Sequence, residues 1–213
     1  WWVQDAAAAL PARLLSPRPG ARVLDLCAAP GGKTLQLAAA GADVTALDIS
    51  EPRMARLRAN LQRTGLAARL VVADALDWAP DAPFDAILLD APCSATGTLR
   101  RHPDLPHVRR AADLRTLVAL QDRLIDRAAG WLLPEGRLVY CTCSLLPEEG
   151  EARVEAALKR HPALSPDRDA AGRLAGLSPD WAAGPGALRI TPETWAGRGG
   201  IDGFHMAALI RTA

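Results

Sequence analysis

The chain has 213 residues, of which 49% are hydrophobic, and its formal net charge is +1. This length and apolar content suit one domain with a sizeable core, and the near-zero charge gives no sign of an extended nucleic-acid surface. We expect neither a membrane span nor a signal peptide, because no apolar run approaches about 18 residues. The chain opens with Trp1 rather than Met, so we expect a piece of a longer protein.

Short apolar runs predict seven strands, at residues 22–26, 43–47, 69–73, 85–89, 137–141, 186–190 and 204–211. Helical spacing of apolar residues predicts helices at residues 4–15, 34–40, 50–64, about 114–133 and 147–160. Residues 94–110 and most of 161–183 are predicted to be loops.

Strands that alternate with helices predict an α/β fold with a doubly wound, mostly parallel sheet. Ligands bind such sheets beyond the carboxyl ends of the strands. Distinctive polar residues follow five of the predicted strands: Cys27, Asp48, Asp74, Asp90 with Cys93, and Cys143. Because five strand ends meet at one rim, we predict a binding site there rather than five unrelated turns.

The stretch from Ala29 to Thr34 follows the first predicted strand and contains the glycines of this rim. A P-loop would need a glycine at the position of Cys27, and a dinucleotide site would need GxGxxG instead of the single pair Gly31-Gly32. An S-adenosylmethionine (SAM) site remains, in which an acid after the next strand holds the ribose hydroxyls. A glycine pair alone is more often a structural turn, but Asp48 stands where that acid is needed and favours the SAM site.

The thiols indicate what this rim could catalyse. A single cysteine is most often a small buried side chain, but Cys93 and Cys143 both follow strands and Asp90 lies beside Cys93. Carbon 5 of a pyrimidine becomes nucleophilic only after a thiolate adds to carbon 6, and an acid near N3 stabilises the developing charge. A cysteine, a carboxylate and SAM are therefore what pyrimidine carbon 5 methylation requires.

Spacing among the cysteines bears on redox state and metals. The four cysteines lack the pairing of a disulfide-rich secreted domain, so we expect reduced thiols in a cytoplasmic protein. Cys141 and Cys143 form CxC without a second pair or a histidine cluster, and we expect no metal site.

Four longer motifs are identifiable: LDLCAAPGGKT, LLDAPCSATGTLRRHPD, LVYCTCSLLPEEG and DGFHMAALIR. Together they resemble the RNA (cytosine-5) methyltransferases of the RsmB/Sun group over nearly the whole chain. The resemblance implies a Rossmann-like SAM-dependent methyltransferase fold, with a mostly parallel seven-stranded sheet and helices on both faces. It implies a catalytic domain over residues 1–213, an N-terminal RNA-binding domain outside this chain, and small-subunit ribosomal RNA as the substrate.

The resemblance also implies a role for individual residues. Those expected to surround SAM are Cys27, Ala28, Ala29, Pro30, Gly31, Gly32 and Lys33, with Asp48 at the ribose, Asp74 at the adenine and Asp90 close to both cofactor and base. The cysteine of the TCS motif, Cys143, would be the nucleophile, and Cys93 of the PC motif would assist release of the methylated RNA. Asp90 would contact the target cytosine near N3.

Two residues depart from the family pattern. Cys141 adds a thiol two positions before Cys143, and we interpret it as a spare buried residue. His205 stands where the family usually has an aromatic residue, and we interpret it as a packing variation near the sheet edge.

The loop beside Cys93 is locally basic and is a candidate RNA contact. Loop arginines are usually only solvated, but next to a cleft that must accept a base from RNA we expect phosphate contacts. The residues concerned are Arg100, Arg101, Arg109 and Arg110.

Three rival functions remain open from the sequence. One is the same chemistry on tRNA, and another is an RNA-binding ribosome assembly factor that keeps the SAM fold. A nicotinamide dehydrogenase is disfavoured by the missing GxGxxG. We expect a monomer that associates with neither membrane nor metal.

Overall fold

The computed structural model describes residues 1–108, 111–174, 176 and 178–212. The described strands are β1 (Arg22–Leu26), β2 (Asp43–Asp48), β3 (Arg69–Val72), β4 (Phe84–Asp90), β5 (Leu132–Thr142), β6 (Leu164–Pro166), β7 (Ala187–Ile190) and β8 (Phe204–Arg211). They form one sheet in the order β3–β2–β1–β4–β5–β8–β6, and β7 also pairs with β8. The first five strands in this order are parallel, whereas β8 is antiparallel to its neighbours.

Helices cover both faces of the sheet because alternate residues of the central strands are apolar on opposite sides. The described helices are α1 (Ala6–Leu15), α2 (Gly32–Ala39), α3 (Glu51–Thr64), α4 (Leu105–Val108), α5 (Ala111–Gly130) and α6 (Glu151–Arg160). Val23 and Leu88 pack in the cluster that contains α1, whereas Leu24 and Ile87 pack in the cluster that contains α5. The resulting three layers agree with the predicted Rossmann-like fold.

Helix α3 shows how local sequence specifies an element here. Pro52 lies in its first turn, where a missing N–H leaves no hydrogen bond unmade, and Gly65 ends it with φ 66°. Met54, Leu57 and Leu61 are its buried residues, as their helical spacing predicts.

Several details differ from the sequence-based expectations. Helix α4 lies within the stretch 94–110 that is predicted to be loop, and the helix predicted at 147–160 is divided into a short turn, Pro147–Glu149, and α6. Strand β6 lies within a stretch predicted as loop, because three residues give too little apolar pattern to recognise. The helix expected at about 114–133 spans Ala111–Gly130 instead. Strand β5 begins at Leu132 rather than 137, and a register shift opposite Phe84 and Ala86 accommodates its Pro-Glu-Gly segment.

His205 lies in the strand next to the sheet edge, because β6 and β7, which both pair with β8, end this side of the sheet. Its strand, β8, is flanked by β5 on one side and by β6 and β7 on the other. The side chain is fully buried, and both ring nitrogens lack a hydrogen-bond partner among the described residues.

Candidate functional site

The carboxyl ends of β1, β4 and β5 meet at a cavity of about 740 Å³. Its wall includes Gly31, Gly32, Lys33, Asp90 and Cys143. The structure therefore brings together the glycine stretch, the acid after the fourth strand and one of the candidate catalytic thiols. A cavity of this size suits a small organic ligand.

The glycine stretch turns sharply into α2. Gly31 has φ 106°, and a Cβ at this position would lie 2.1 Å from Leu57 Cδ1, so both backbone and packing require glycine. Since helix α2 begins directly afterwards at Gly32, backbone N–H groups of its first turn are available to a polar ligand.

Two buried carboxylates accept hydrogen bonds from residues of the glycine stretch, Ala29 to Thr34. Asp48 ends β2 and accepts hydrogen bonds from the backbone N–H of Ala29 at 3.1 Å and of Ser50 at 2.9 Å. Asp25 in β1 accepts a hydrogen bond from the Thr34 hydroxyl at 2.5 Å. Burial raises the pKa of Asp25 to about 7, although the bond from Thr34 acts in the opposite direction.

Asp90 is held between a lysine and a thiol. Lys33 Nζ lies 2.7 Å from Asp90 Oδ2, and Cys141 Sγ donates to Asp90 Oδ1 at 3.5 Å. Burial, the largest single effect, acts to lower the pKa of Lys33, but the charge and hydrogen bond of Asp90, together with Cys141 and Asp25, raise it overall. Burial, followed by the charge of Asp90, raises the pKa of Cys141 and keeps it a thiol. Lys33 also lies over the Phe204 ring, at 5.2 Å from its centroid.

The two candidate catalytic thiols touch each other. Cys93 Sγ and Cys143 Sγ are 3.5 Å apart, and Cys143 lines the cavity while Cys93 is buried beside it. The hydrogen bond from Cys93 lowers the pKa of Cys143, against burial and the charge of Asp90, which both act to raise it. The same contact and burial raise the pKa of Cys93. Cys93 therefore keeps its proton and donates it toward Cys143.

Cys143 differs in this respect from the other three cysteines. Burial raises the pKa of Cys27 well above its usual range, and the nearby charges of Asp48 and Asp90 add to this effect. Because a thiolate is the strongly nucleophilic form, Cys143 is the cysteine whose pKa is shifted in the direction that favours attack.

Backbone contacts fix the loops that carry these thiols. Gly97 N–H donates to Cys143 O at 2.9 Å, and Gly203 N–H donates to Gly97 O at 2.8 Å. A Cβ on Gly97 would lie 2.0 Å from Gly203 O and 2.9 Å from Cys143 O. Sequence reasoning missed Gly97, whose only signal was its place in the second motif.

Other predicted residues lie at or near the rim. Asp74 follows β3, and its carboxylate accepts a hydrogen bond from Leu76 N–H at 2.8 Å, so it shapes a turn there. Among the described residues that line the cavity, Cys27, Ala29, Asp48 and Asp74 are not found, whereas Ala28 and Pro30 are. Contact of Asp48 and Asp74 with a cofactor remains a prediction.

Two of the four predicted RNA-binding arginines are paired within the chain. Arg101 contacts both carboxylate oxygens of Asp202: Nε lies 3.1 Å from Oδ1, and Nη2 lies 2.6 Å from Oδ2. Arg100 Nη2 lies 3.4 Å from Asp202 Oδ1 and 3.7 Å from Asp5 Oδ2. Both side chains also reach solvent, and phosphate contact remains a prediction. Arg109 and Arg110 lie outside the described residues.

Comparison with known proteins identifies the family. Residues 12–210 match the family described as 16S rRNA methyltransferase RsmB/F. The chain belongs to this family. The RsmB/F membership expected from the four motifs is thereby confirmed.

Individual relatives agree with this assignment. A protein from Salmonella arizonae named Ribosomal RNA small subunit methyltransferase B is 46% identical over 214 residues, which cover 98% of this chain and 46% of the relative. Its namesake from Vibrio cholerae is 45% identical over 212 residues, covering 97% and 45% respectively. The RsmB/F chain described here therefore spans about half the length of the curated relatives it matches.

Solved structures confirm the methyltransferase fold. NSun6 from Pyrococcus horikoshii superposes with a TM-score of 0.84 at 28% identity, covering 100% of this chain and 53% of NSun6. A methyltransferase homolog protein from the same organism gives a TM-score of 0.78 at 32% identity, covering 99% and 68%.

The described residues contain neither a candidate membrane span nor a candidate metal cluster. None of the described helices combines the length and apolar character needed to cross a membrane. Within the same part of the chain, no group of three or more His, Cys, Asp or Glu side chains is arranged to hold a metal ion.

Proposed function

We propose that this RsmB/F domain transfers a methyl group from SAM to carbon 5 of a cytosine in small-subunit ribosomal RNA. The observation that carries the proposal is the position of Cys143. Its thiol, with a lowered pKa, lies in the same cavity as the glycine stretch and Asp90. The printed names of the relatives, Ribosomal RNA small subunit methyltransferase B, support the choice of RNA.

The residues around the cavity fit SAM. Gly31 and Gly32 let the backbone approach a ligand closely, and the N-terminus of α2 presents N–H groups to its carboxylate. Asp48 uses two of about four acceptor positions for Ala29 and Ser50, and Arg53 Nη1 lies 3.6 Å from its Oδ2, which leaves acceptor capacity for ribose hydroxyls. When bound, SAM would supply an electrophilic methyl group on its sulfonium.

Cys143 is the proposed nucleophile. Its thiolate sulfur forms a bond to carbon 6 of cytosine, and the electron pair of the 5,6 double bond moves into the ring toward N3. Asp90 lines the same cavity, with its orientation fixed by Lys33 and Cys141. In its protonated form it would transfer a proton to N3 as negative charge develops there, and it would take this proton back when the adduct breaks down. Carbon 5 then has the electron density needed to accept a methyl group.

Release of the methylated cytosine requires two further events. A proton acceptor must remove the proton on carbon 5, and the bond between carbon 6 and sulfur must break to return the thiolate of Cys143. Cys93 is the proposed participant in release, since it keeps its proton and contacts the leaving sulfur at 3.5 Å. The same contact stabilises the departing thiolate through a hydrogen bond.

The test uses full-length protein, unmodified small-subunit rRNA and SAM with a tritiated methyl group. We expect label at a discrete cytosine, located by bisulfite sequencing. Label on tRNA alone would show that the substrate is tRNA rather than ribosomal RNA, with the same methylation chemistry. SAM binding without label on either RNA would instead favour a ribosome assembly factor and overturn the proposal.

A further inference from the structure

A buried carboxylate joins the two loops that carry the thiols. Glu149 is fully buried at the end of the short helical turn Pro147–Glu149. It accepts hydrogen bonds from Ser94 N–H at 2.9 Å and the Ser94 hydroxyl at 2.5 Å. The Ser144 hydroxyl donates to the same carboxylate at 2.6 Å, and Gln121 Nε2 donates at 3.1 Å.

These donors come from three separate parts of the chain. Ser94 directly follows Cys93, Ser144 directly follows Cys143, and Gln121 belongs to α5. In the part of the chain that the structure describes, no lysine or arginine forms an ion pair with Glu149. A buried carboxylate is unfavourable unless hydrogen bonds replace its hydration, so this set of donors must stay together.

The backbone of Glu149 adds contacts to strand β5. Its carbonyl oxygen accepts hydrogen bonds from the Tyr140 hydroxyl at 2.7 Å and from the Thr142 hydroxyl at 3.2 Å. Glu149 is therefore fixed to the strand that precedes Cys143, while its carboxylate holds the residue after Cys93.

We propose that Glu149 is the positioning residue of the cysteine pair. By holding Ser94 and Ser144 on one carboxylate, it sets the 3.5 Å distance between the sulfur atoms of Cys93 and Cys143. Glu149 does not line the cavity and acts through the two loops rather than on the base. Its consequence for methyl transfer rests on the proposed function, whereas its consequence for the thiol distance does not.

Formation of a disulfide between Cys93 and Cys143 measures their distance independently of methylation. Diamide removes two electrons and two protons from a pair of thiols and is itself reduced from the azo compound to the hydrazine. In full-length protein, we would follow the Cys93–Cys143 linkage by peptide mass spectrometry and compare Glu149→Gln with wild type. The control is Glu148→Gln, an identical change at the preceding, exposed residue.

Glu149→Gln places an amide NH₂ among N–H and O–H donors, so the loops must separate. We expect disulfide formation to slow about tenfold and kcat for methyl transfer to fall about 100-fold, with KM for SAM changed less than about threefold. Glu148→Gln should match wild type in all three quantities. If Glu149 contributed only to packing, Glu149→Gln would lower thermal stability, but kcat would not fall while KM for SAM stayed nearly unchanged.

Ser144→Ala keeps the carboxylate and removes one donor, so it provides the test if Glu149→Gln fails to fold. Its disulfide formation and kcat should both fall, by less than in Glu149→Gln. Wild-type values of both quantities in a folded Glu149→Gln, or in Ser144→Ala where the first variant does not fold, would overturn the proposal. If wild-type protein transfers no methyl group yet the variants still change the oxidation rate, the proposed function fails while the positioning role stands.

Discussion

The two sides of the cavity are built in different ways. On the side proposed for the cofactor, called the cofactor side below, much of the wall comes from one short stretch that contains Ala28 and residues 30–33. On the cysteine side, loops about 50 residues apart meet, and side-chain hydrogen bonds to Glu149 join them. A local site of the first kind can be recognised from a motif, whereas a site of the second kind depends on which strands pair.

The largest effect expected on the cysteine side is that of Cys143→Ala. Removing the sulfur that bonds to carbon 6 should leave no detectable methyl transfer, while SAM affinity measured by calorimetry stays within about threefold of wild type. Retained methyl transfer in a folded Cys143→Ala would contradict the assignment of this thiol. The control is Cys141→Ser, because this buried residue of β5 lies two positions before Cys143 and a hydroxyl there can still donate to Asp90.

Gly97→Ala should come next, because it forces apart the loops on the cysteine side. The new methyl group would meet the backbone of Gly203 and of Cys143, neither of which can rotate away. We expect a loss of about 1–3 kcal/mol in unfolding free energy, measured by denaturant titration, together with a large fall in methyl transfer. Gly130→Ala, with no atom within 4 Å of its added Cβ, should leave both quantities near wild type.

His205→Phe tests the packing beneath the cysteine side. Burial lowers the pKa of His205 to about 4, with the charge of Glu151 opposing this and that of Arg189 adding to it. The unfolded chain therefore binds a proton that the folded chain lacks between about pH 4 and 6.5, and stability falls as pH falls through this range.

Replacing the imidazole should remove this pH dependence. It also removes two buried ring nitrogens that have no hydrogen-bond partner among the described residues. We expect a gain of about 1–3 kcal/mol in unfolding free energy at pH 5, measured by urea titration. The control His102→Phe changes an exposed histidine and should give no such gain. A variant less stable than wild type at pH 5 would show that the site cannot accept the larger ring.

Asp25→Asn is expected to change only the pH dependence of stability, and Asp25 lies under the cofactor side. Burial raises the pKa of Asp25 from 3.8 to about 7, so the folded chain holds a proton that the unfolded chain has lost between those values. Stability therefore falls as pH rises through this window, by at most about 1.4 kcal/mol per pH unit. Asparagine stays neutral, so the variant should lose less stability from pH 4 to 7, and an unchanged slope would contradict the raised pKa.

Sequence reasoning predicted residues on both sides of the cavity, but not the contacts that join the loops of the cysteine side. The apolar runs predicted the order of strands and helices, and the glycine pair with Asp48 predicted a turn that the structure places at the cavity. The roles of Glu149 and Gly97 could not be predicted, since they depend on the pairing of β4 with β5 and on loops distant in sequence. The orphaned ring of His205 was also missed, because hydrogen-bond satisfaction depends on neighbours from other strands.

The most direct test of the account is to identify which cysteine bonds to the base. Full-length Cys93→Ala protein would be incubated with unmodified small-subunit rRNA and SAM, and the covalent complex digested with nuclease and trypsin for mass spectrometry. We predict a nucleotide on the peptide of residues 138–153, with fragment ions placing it on Cys143 rather than Cys141. A nucleotide attached to Cys141 in this variant, or to Cys93 in Cys143→Ala, would contradict the account.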